Sequence, residues 1–235
     1  MRRIFPGTEL LRLLEPKQQR LLEASTRVVV VKRGRRIYTA GEQSDDLFLV
    51  TSGVVKLTTR QPGCLELILE FLYPDEIFGE GLLFDDTARD HNAEAHEDCV
   101  LSAIRRDVIV TLMEQSVELG LGITTLFGVR ARRLRTRLRG LLCKGAVARL
   151  AQALVDLGDD RGVREFNGIV IPLRLTQREI GCLVGLSRET VNSILQKWRD
   201  DGFIDLSRHS IRLRQPEALR RLVSGAARSS RGAAA

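Results

Sequence analysis

The sequence is poor in cysteine and histidine and lacks a long apolar run. Its four cysteines, Cys64, Cys99, Cys143 and Cys182, are scattered without a Cys-x-x-Cys pair, which indicates reduced thiols rather than a disulfide framework. No secretory signal and no apolar stretch of about 18 residues are present. We therefore expect a cytoplasmic protein without a membrane partner.

Histidines that could hold a metal are also scarce. His91 and His96 lie five residues apart, whereas a metal-binding cupin would need a His-x-His pair followed by a glutamate and a further histidine. We predict that both are surface or loop histidines. The sequence thus indicates no metal site and no enzyme built on one.

Acidic residues are missing from residues 119–155, where arginine is frequent, and the whole chain has a formal net charge of +7. This balance favours a polyanionic partner, although it also fits a soluble basic protein. A chain of 235 residues can bury one large or two medium cores, and we predict two domains.

The first half of the chain has the pattern of a β-rich domain. Leucines on both sides of Pro16 predict two short helices over residues 8–24. Short apolar or β-branched runs separated by glycines then predict strands that close into a sandwich or roll. These runs are residues 28–31, 47–50, 54–57, 65–72 and 100–104.

A long helix is predicted after Ser116. Its apolar residues alternate four- and three-residue steps, which is the seam of a two-stranded coiled coil and indicates a parallel homodimer. The predicted dimer interface consists of Phe127, Ala131, Leu134, Leu138 and Leu141.

Two short helices joined by a glycine turn follow near the C-terminus. Thr176 and Glu179 form a capping box, Gly185 ends the first helix, and Ser187 caps the second. The second helix has an apolar stripe that includes Trp198, and its opposite side carries Arg188, Glu189, Asn192 and Lys197. This arrangement is typical of a recognition helix, the alternative being an ordinary helical hairpin with a solvated face.

Two hairpins flank these helices. Residues 166–171 predict a hairpin with an Asn-Gly turn after a helix over residues 146–157. Residues 204–206 and 210–213 predict a wing tipped by Arg208 and His209, whose basic tip would lie along a phosphate backbone. The small, basic segment from Ser224 is predicted to be disordered.

The run L-T-x-x-E-I-x-x-x-V-G-x-S-R-E-T-V over residues 175–191 resembles the helix-turn-helix of the cAMP receptor protein and fumarate/nitrate reduction regulator (CRP/FNR) superfamily of bacterial transcription regulators. Residues 41–57 and 74–80 resemble its cyclic-nucleotide-binding β-roll. The resemblance implies an α+β fold with an N-terminal double-stranded jelly roll, a long dimerisation helix and a C-terminal winged helix-turn-helix. We predict a sensor roll with N-terminal helices over residues 1–115, a dimerisation helix and hinge over 116–144, a DNA-binding domain over 145–223, and a disordered tail over 224–235.

The implied function is a homodimeric, sequence-specific regulator that binds double-stranded DNA at a palindromic operator and acts on RNA polymerase. Arg188 would read guanine, Glu189 would read cytosine, and Asn192 would supply an adenine contact. Ser193 replaces an arginine of relatives, so one base step would be read differently. The expected DNA-binding residues are Thr176, Gln177, Ser187, Arg188, Glu189, Asn192, Ser193, Lys197 and Arg208.

The resemblance also implies an effector pocket, and its cofactor is unknown. The expected pocket residues are Gly79, Glu80, Arg89, Asp90, Leu134 and Arg135. Asp90 replaces the Ser or Thr of nucleotide binders, and its carboxylate would repel a phosphate, so we predict weak or no cAMP binding. No cysteine precedes Cys64, which argues against an iron–sulfur sensor. The alternatives are a constitutive regulator with a degenerate pocket and a cyclic-nucleotide signalling module that does not bind DNA.

Overall fold

The computed structural model describes residues 14–43, 45–60, 66–83, 88–143, 145–207 and 210–229. The chain divides into an N-terminal unit, Arg2–Arg132, and a C-terminal unit, Arg133–Ala235. No helix among the described residues is both long and apolar enough to cross a membrane.

The elements of the N-terminal unit are α1 (Pro16–Ser25), β1 (Thr26–Val31), β2 (Arg36–Tyr38), β3 (Asp46–Ser52), β4 (Val55–Thr59), β5 (Leu67–Leu72), β6 (Ile77–Phe78), β7 (Asn92–Ala95), β8 (Cys99–Arg105) and α2 (Arg106–Gln115). A short 3-10 helix, Glu80–Leu83, follows β6. The strands form two four-stranded antiparallel sheets, with strand orders β1-β8-β3-β6 and β2-β7-β4-β5.

Strand β3 separates two apolar cores. Phe48 and Val50 belong to the core between the sheets, where the Phe48 and Phe78 rings stack with their centroids 5.1 Å apart. Leu47 and Leu49 belong to a second core with residues of the helices. Because both faces of β3 are covered, its sequence is a continuous apolar run rather than an alternating one.

The strands predicted from the sequence overlap β1, β3, β4, β5 and β8, whereas β2, β6 and β7 were missed. These three strands have two to four residues, and none contains more than two consecutive apolar residues, so their pairing partners define them rather than their own pattern. The predicted helix before Pro16 lies outside the described residues.

His91 and His96 lie in loops, as predicted, but the alternative of a surface position is wrong for His96. Its side chain is buried and meets the Phe71 ring edge-on, with centroids 5.1 Å apart. His91 is largely covered, and its Nε2 lies 2.8 Å from the Tyr38 hydroxyl. Aromatic rings and hydroxyls can accommodate an imidazole in a core, and a single sequence does not reveal such partners.

A long helix, α3 (Val117–Cys143), contains the boundary between the two units. The other elements of the C-terminal unit are α4 (Ala146–Arg161), β9 (Val163–Glu165), β10 (Gly168–Ile171), α5 (Gln177–Val184), α6 (Arg188–Asp200), β11 (Ile204–Leu206), β12 (Ile211–Leu213) and α7 (Pro216–Ser229). Its strands form a four-stranded antiparallel sheet in the order β11-β12-β10-β9. Its core includes Leu150, Ile171, Leu195 and Trp198.

The prediction of a disordered tail from Ser224 is wrong up to Ser229, because helix α7 extends to that residue. The helix starts on a packed segment in which Leu219 is fully buried, and Arg220 forms an ion pair with Asp159. Once such a segment is helical, alanine and arginine continue the helix at little cost. Residues 230–235 lie outside the described residues.

Candidate nucleic-acid interface and effector pocket

The start of α5 is fixed by the predicted capping box. The Thr176 hydroxyl accepts a hydrogen bond from the Glu179 amide at 3.1 Å, and the Glu179 carboxylate accepts one from the Thr176 amide at 3.0 Å. These reciprocal bonds satisfy two amides that the first turn leaves unpaired. The capping box is therefore confirmed, and it sets the position of Gln177, the next residue.

The turn between α5 and α6 depends on two glycines. Gly185 has a left-handed backbone with φ of 65°, which favours glycine. A Cβ at Gly181 would stand 2.5 Å from the Leu186 carbonyl oxygen. Glycine is therefore needed at Gly185 for the backbone conformation and at Gly181 for the close approach of the turn.

Two arginines that the sequence did not single out hold the end of α5. Arg137 donates to the Leu183 carbonyl oxygen, and Arg149 donates to the Gly185 carbonyl oxygen at 3.5 Å. Cations at the C-terminal end of a helix also interact favourably with its dipole. Their position in the acid-free stretch was visible in the sequence, but their partners were not.

Helix α6 separates an apolar stripe from a polar face. Ser187 accepts a hydrogen bond from the Thr190 amide at 3.2 Å and caps the helix. Val191, Leu195 and Trp198 are buried, whereas the expected contact residues of this helix are exposed. These exposed residues are Arg188, Glu189, Asn192, Ser193 and Lys197.

The Glu189 carboxylate is a ready hydrogen-bond acceptor. Bonds from its own backbone amide and from the Ser187 hydroxyl hold the pKa of Glu189 below its usual range. It is ionised at neutral pH, as an exposed glutamate ordinarily is, and the preceding residue in the chain is the exposed Arg188. A donor and an acceptor thus stand side by side in the first turn of a helix.

The remaining expected DNA contacts lie at the start of α5 and in the wing. Thr176 is exposed and Gln177 is partly exposed, and Gln177 donates to Asn192 across the two helices. In the wing, the Ser207 amide donates to the Ser210 carbonyl oxygen at 3.0 Å. Arg208 lies outside the described residues.

In the expected effector pocket, Arg89 lies inside the N-terminal unit. Its guanidinium donates to the Gly79 carbonyl oxygen at 2.8 Å and to the Asp46 carbonyl oxygen at 2.5 Å, and it stands 4.3 Å from the centre of the Tyr38 ring. Only 6% of Arg89 is exposed, and burial lowers its pKa. A Cβ at Gly79 would stand 2.6 Å from the Arg89 Nη1, so glycine makes room for the guanidinium.

Glu80 is engaged by an arginine of α3. Arg130 pairs with Glu80, approaches Glu70 at 3.9 Å and donates to the Ile77 carbonyl oxygen. Burial alone would lower the pKa of Arg130, but the two carboxylates outweigh it and raise that pKa. The other Glu80 oxygen, Oε2, is buried and has no hydrogen-bond partner within the described part of the chain.

Asp90 does not face inward. Its side chain is 82% exposed and pairs with His91, so solvent screens much of the expected repulsion of a phosphate. Leu134 and Arg135, which lie on α3 in the C-terminal unit, are both exposed. The obstacle to anion binding in this pocket is therefore the engagement of Arg89, more than the charge of Asp90.

Most of the predicted dimer seam is uncovered on α3. Leu134 is 60% exposed and Leu138 53% exposed, and Ala131 is exposed as well. Phe127 and Leu141 are half-buried within their own units: Phe127 packs against the second core, and Leu141 lies near Gly185. Leu142, 76% exposed, lies four residues beyond Leu138.

Two protein-family models match the chain: a cyclic nucleotide-binding domain over residues 28–116 and a Crp-like helix-turn-helix domain over residues 148–222. The chain is 30% identical over 208 residues to a CRP-like cAMP-activated global transcriptional regulator of Mycobacterium tuberculosis, covering 88% of this chain and 93% of that protein. It is 29% identical over 221 residues to the cyclic AMP receptor protein of Thermus thermophilus, covering 94% and 99%.

Solved structures share the fold. A CooA mutant from Carboxydothermus hydrogenoformans superimposes with a TM-score of 0.78 at 23% identity, covering 94% of this chain and 96% of that chain. FixK2 from Bradyrhizobium japonicum superimposes with a TM-score of 0.75 at 21% identity, covering 84% and 96%.

Proposed function

The chain belongs to the CRP/FNR superfamily of helix-turn-helix transcription regulators, and on that premise we propose that it is a homodimer that recognises a palindromic operator through α6. The observation that carries this proposal is the exposure of Arg188 and Glu189 together in the first turn of a capped helix. A guanidinium can donate two bonds to guanine O6 and N7, and a carboxylate can accept one from cytosine N4.

The other expected contacts would mainly hold the DNA backbone. Thr176 and Gln177 lie at the start of α5, Ser187 caps α6, and Lys197 lies on the exposed face of α6. Arg208, outside the described residues, is expected to act from the predicted wing. Hydroxyl, amide and ammonium groups can all donate to phosphate oxygens, which fixes the register without reading sequence. Ser193 is short and neutral, so the base step near it would be read loosely.

Dimerisation would use the exposed part of the seam on α3, namely Ala131, Leu134 and Leu138. Burying these side chains against a second copy removes apolar surface from water and relates two recognition helices by a twofold axis. The two helices would then enter major grooves about 34 Å apart. The operator would accordingly be an inverted repeat.

The direct test is selection of bound duplexes from a random library by the full-length protein, together with sedimentation to measure its mass. We expect an inverted repeat with half-site centres about 10 base pairs apart and a particle of two chains. A pool that shows no enrichment, or a single unrepeated motif bound by one chain, would contradict the proposal.

For the sensor unit, two candidates compete. Two relatives are named as cAMP-activated or as a cyclic AMP receptor, and the unpartnered Oε2 of Glu80 suits a ligand hydroxyl. Arg89, however, would have to leave two carbonyls and the Tyr38 ring to bind a cyclic phosphate. This engagement favours a regulator that binds its operator without cAMP.

The same function implies a cytoplasmic location and a contact with RNA polymerase. The Phe166 ring, at the turn between β9 and β10, is fully exposed. An exposed aromatic side chain offers apolar surface that suits a protein partner. Replacing Phe166 with Ser would then change transcription from a target promoter while leaving operator affinity unchanged.

A further inference from the structure

Gln177 and Asn192 are joined across the helix-turn-helix. Gln177 is the first residue of α5, and Asn192 lies in α6, one turn beyond Arg188. The Gln177 Nε2 donates to the Asn192 Oδ1 at 2.8 Å. Because the capping box fixes the start of α5, Gln177 is held in place to make this bond.

The bond decides which group of Asn192 is left for DNA. A carboxamide has one acceptor oxygen and one NH2 donor group, and recognition of adenine uses both. Asn192 is exposed, and its Oδ1 is turned toward Gln177, which places its NH2 group on the opposite side of the carboxamide, away from Gln177. The NH2 group is therefore the part that can reach a base, and it pairs with guanine O6 or N7 and with thymine O4. Adenine N7 also accepts, but the neighbouring N6 amino group would then lack the oxygen that a bidentate contact supplies, so adenine is disfavoured.

Resting on the proposed DNA-binding function, we propose that Gln177 is a positioning residue that makes Asn192 a donor-only reader of guanine or thymine at one step of each half-site. This assignment replaces the adenine contact expected for Asn192 and the phosphate contact expected for Gln177. Asparagine is also a poor helix former, so helix stability does not explain its presence within α6.

The test compares three substitutions in the full-length protein. Asn192→Ala identifies the base step, because it removes the preference there and leaves the Arg188 step unchanged. Gln177→Glu cannot donate from its carboxylate, so the Asn192 NH2 turns toward it and the oxygen turns toward the DNA. Gln177→Met removes the hydrogen bond to Asn192 with little change in the length of the side chain at residue 177. The Asn192 carboxamide is then free to contact adenine through both its oxygen and its NH2 group.

Dissociation constants are measured for duplexes with each of the four base pairs at that step. We expect the unmodified protein to favour guanine or thymine by about threefold to tenfold, the usual range for one hydrogen bond. Gln177→Glu should favour cytosine or adenine by about the same factor, since both present an amino donor. Gln177→Met should gain affinity for adenine relative to the other bases.

If both Gln177 variants weaken binding to all four duplexes equally, Gln177 contacts phosphate and the inference is wrong. A preference of the unmodified protein for adenine at this step would overturn it as well. In either case discrimination at the Arg188 step would persist, so the proposed function would stand. Loss of discrimination at every step in the unmodified protein would overturn the proposed function and this inference with it.

Discussion

Arg188 and Arg89 carry the same guanidinium in opposite surroundings. Arg188 is exposed at the start of a capped helix, where its fork of donors can meet a base edge. Arg89 is buried, and both of its terminal nitrogens donate to backbone carbonyls. The same residue type is therefore suited to recognition at one position and to holding the fold together at the other.

Replacing Arg188 with Ala should remove the preference for the operator while leaving nonspecific binding. The loss of a bidentate guanine contact costs about 1–3 kcal/mol, or about 5-fold to 150-fold in the ratio of operator to scrambled affinity. Gel shifts with both duplexes over a range of salt measure this ratio. Arg178→Ala removes an exposed arginine of α5 outside the expected contacts and should leave it unchanged. An unaltered ratio in Arg188→Ala would refute its assignment.

The close packing of Arg89 against Gly79 can be tested by measuring the free energy of unfolding. Gly79 and Gly41 both have positive φ, 82° and 87°, so alanine strains the backbone at either position. Only at Gly79 does the new Cβ meet the guanidinium; nothing lies within 4 Å at Gly41. Gly79→Ala should therefore lower the free energy of unfolding by about 1–3 kcal/mol more than Gly41→Ala does.

Urea denaturation followed by circular dichroism provides this comparison. Tryptophan fluorescence would not, because the single tryptophan, Trp198, lies in the C-terminal unit, whereas Gly79 and Gly41 lie in the N-terminal unit. Equal unfolding midpoints for the two variants would mean that Arg89 is not packed against Gly79.

Among the elements, α5 and α6 could be predicted to within a residue because their signals are local. Thr176, Glu179, Gly185 and Ser187 define the helix ends by bonds made within one turn. Strands β2, β6 and β7 could not be predicted, because they have only two to four residues and their pairing partners define them rather than a pattern of their own. The direction of the Arg89 side chain was equally hidden, since it depends on Asp46 and Tyr38, far along the chain.

The exposed part of the seam on α3 predicts how one substitution in this helix affects dimerisation. Leu138→Glu should separate the proposed dimer, because it would bury a carboxylate without a partner between two helices. Sedimentation should show one chain per particle, and operator affinity should fall more than tenfold as the twofold contact is lost. Leu121→Glu is the matched control: Leu121 is 63% exposed on the same helix but lies outside the predicted seam. Equal effects of the two substitutions would refute the seam.

For the whole molecule, the attraction to DNA that comes from net charge and the control of operator binding by an effector are separate properties. The net charge of +7 supplies nonspecific attraction to DNA, which falls steeply with salt. A switch by effector, in contrast, requires that the ligand bind one state of the protein better than the other. Salt sensitivity alone therefore says nothing about whether the N-terminal unit controls operator binding.

The engagement of Arg89 predicts that cAMP leaves operator affinity of the full-length protein unchanged within about twofold, whereas allosteric coupling is typically about 5-fold to 150-fold. The reason is that Arg89 would have to give up its bonds to Gly79 and Asp46 before it could hold a phosphate. Operator titrations at fixed salt, with and without saturating cAMP, test this together with calorimetry of cAMP alone. Adenosine serves as the control for binding of the base and ribose without the phosphate. Micromolar cAMP binding that Arg89→Lys weakens would show that the arginine leaves the core, and the ligand-independent assignment would then be wrong.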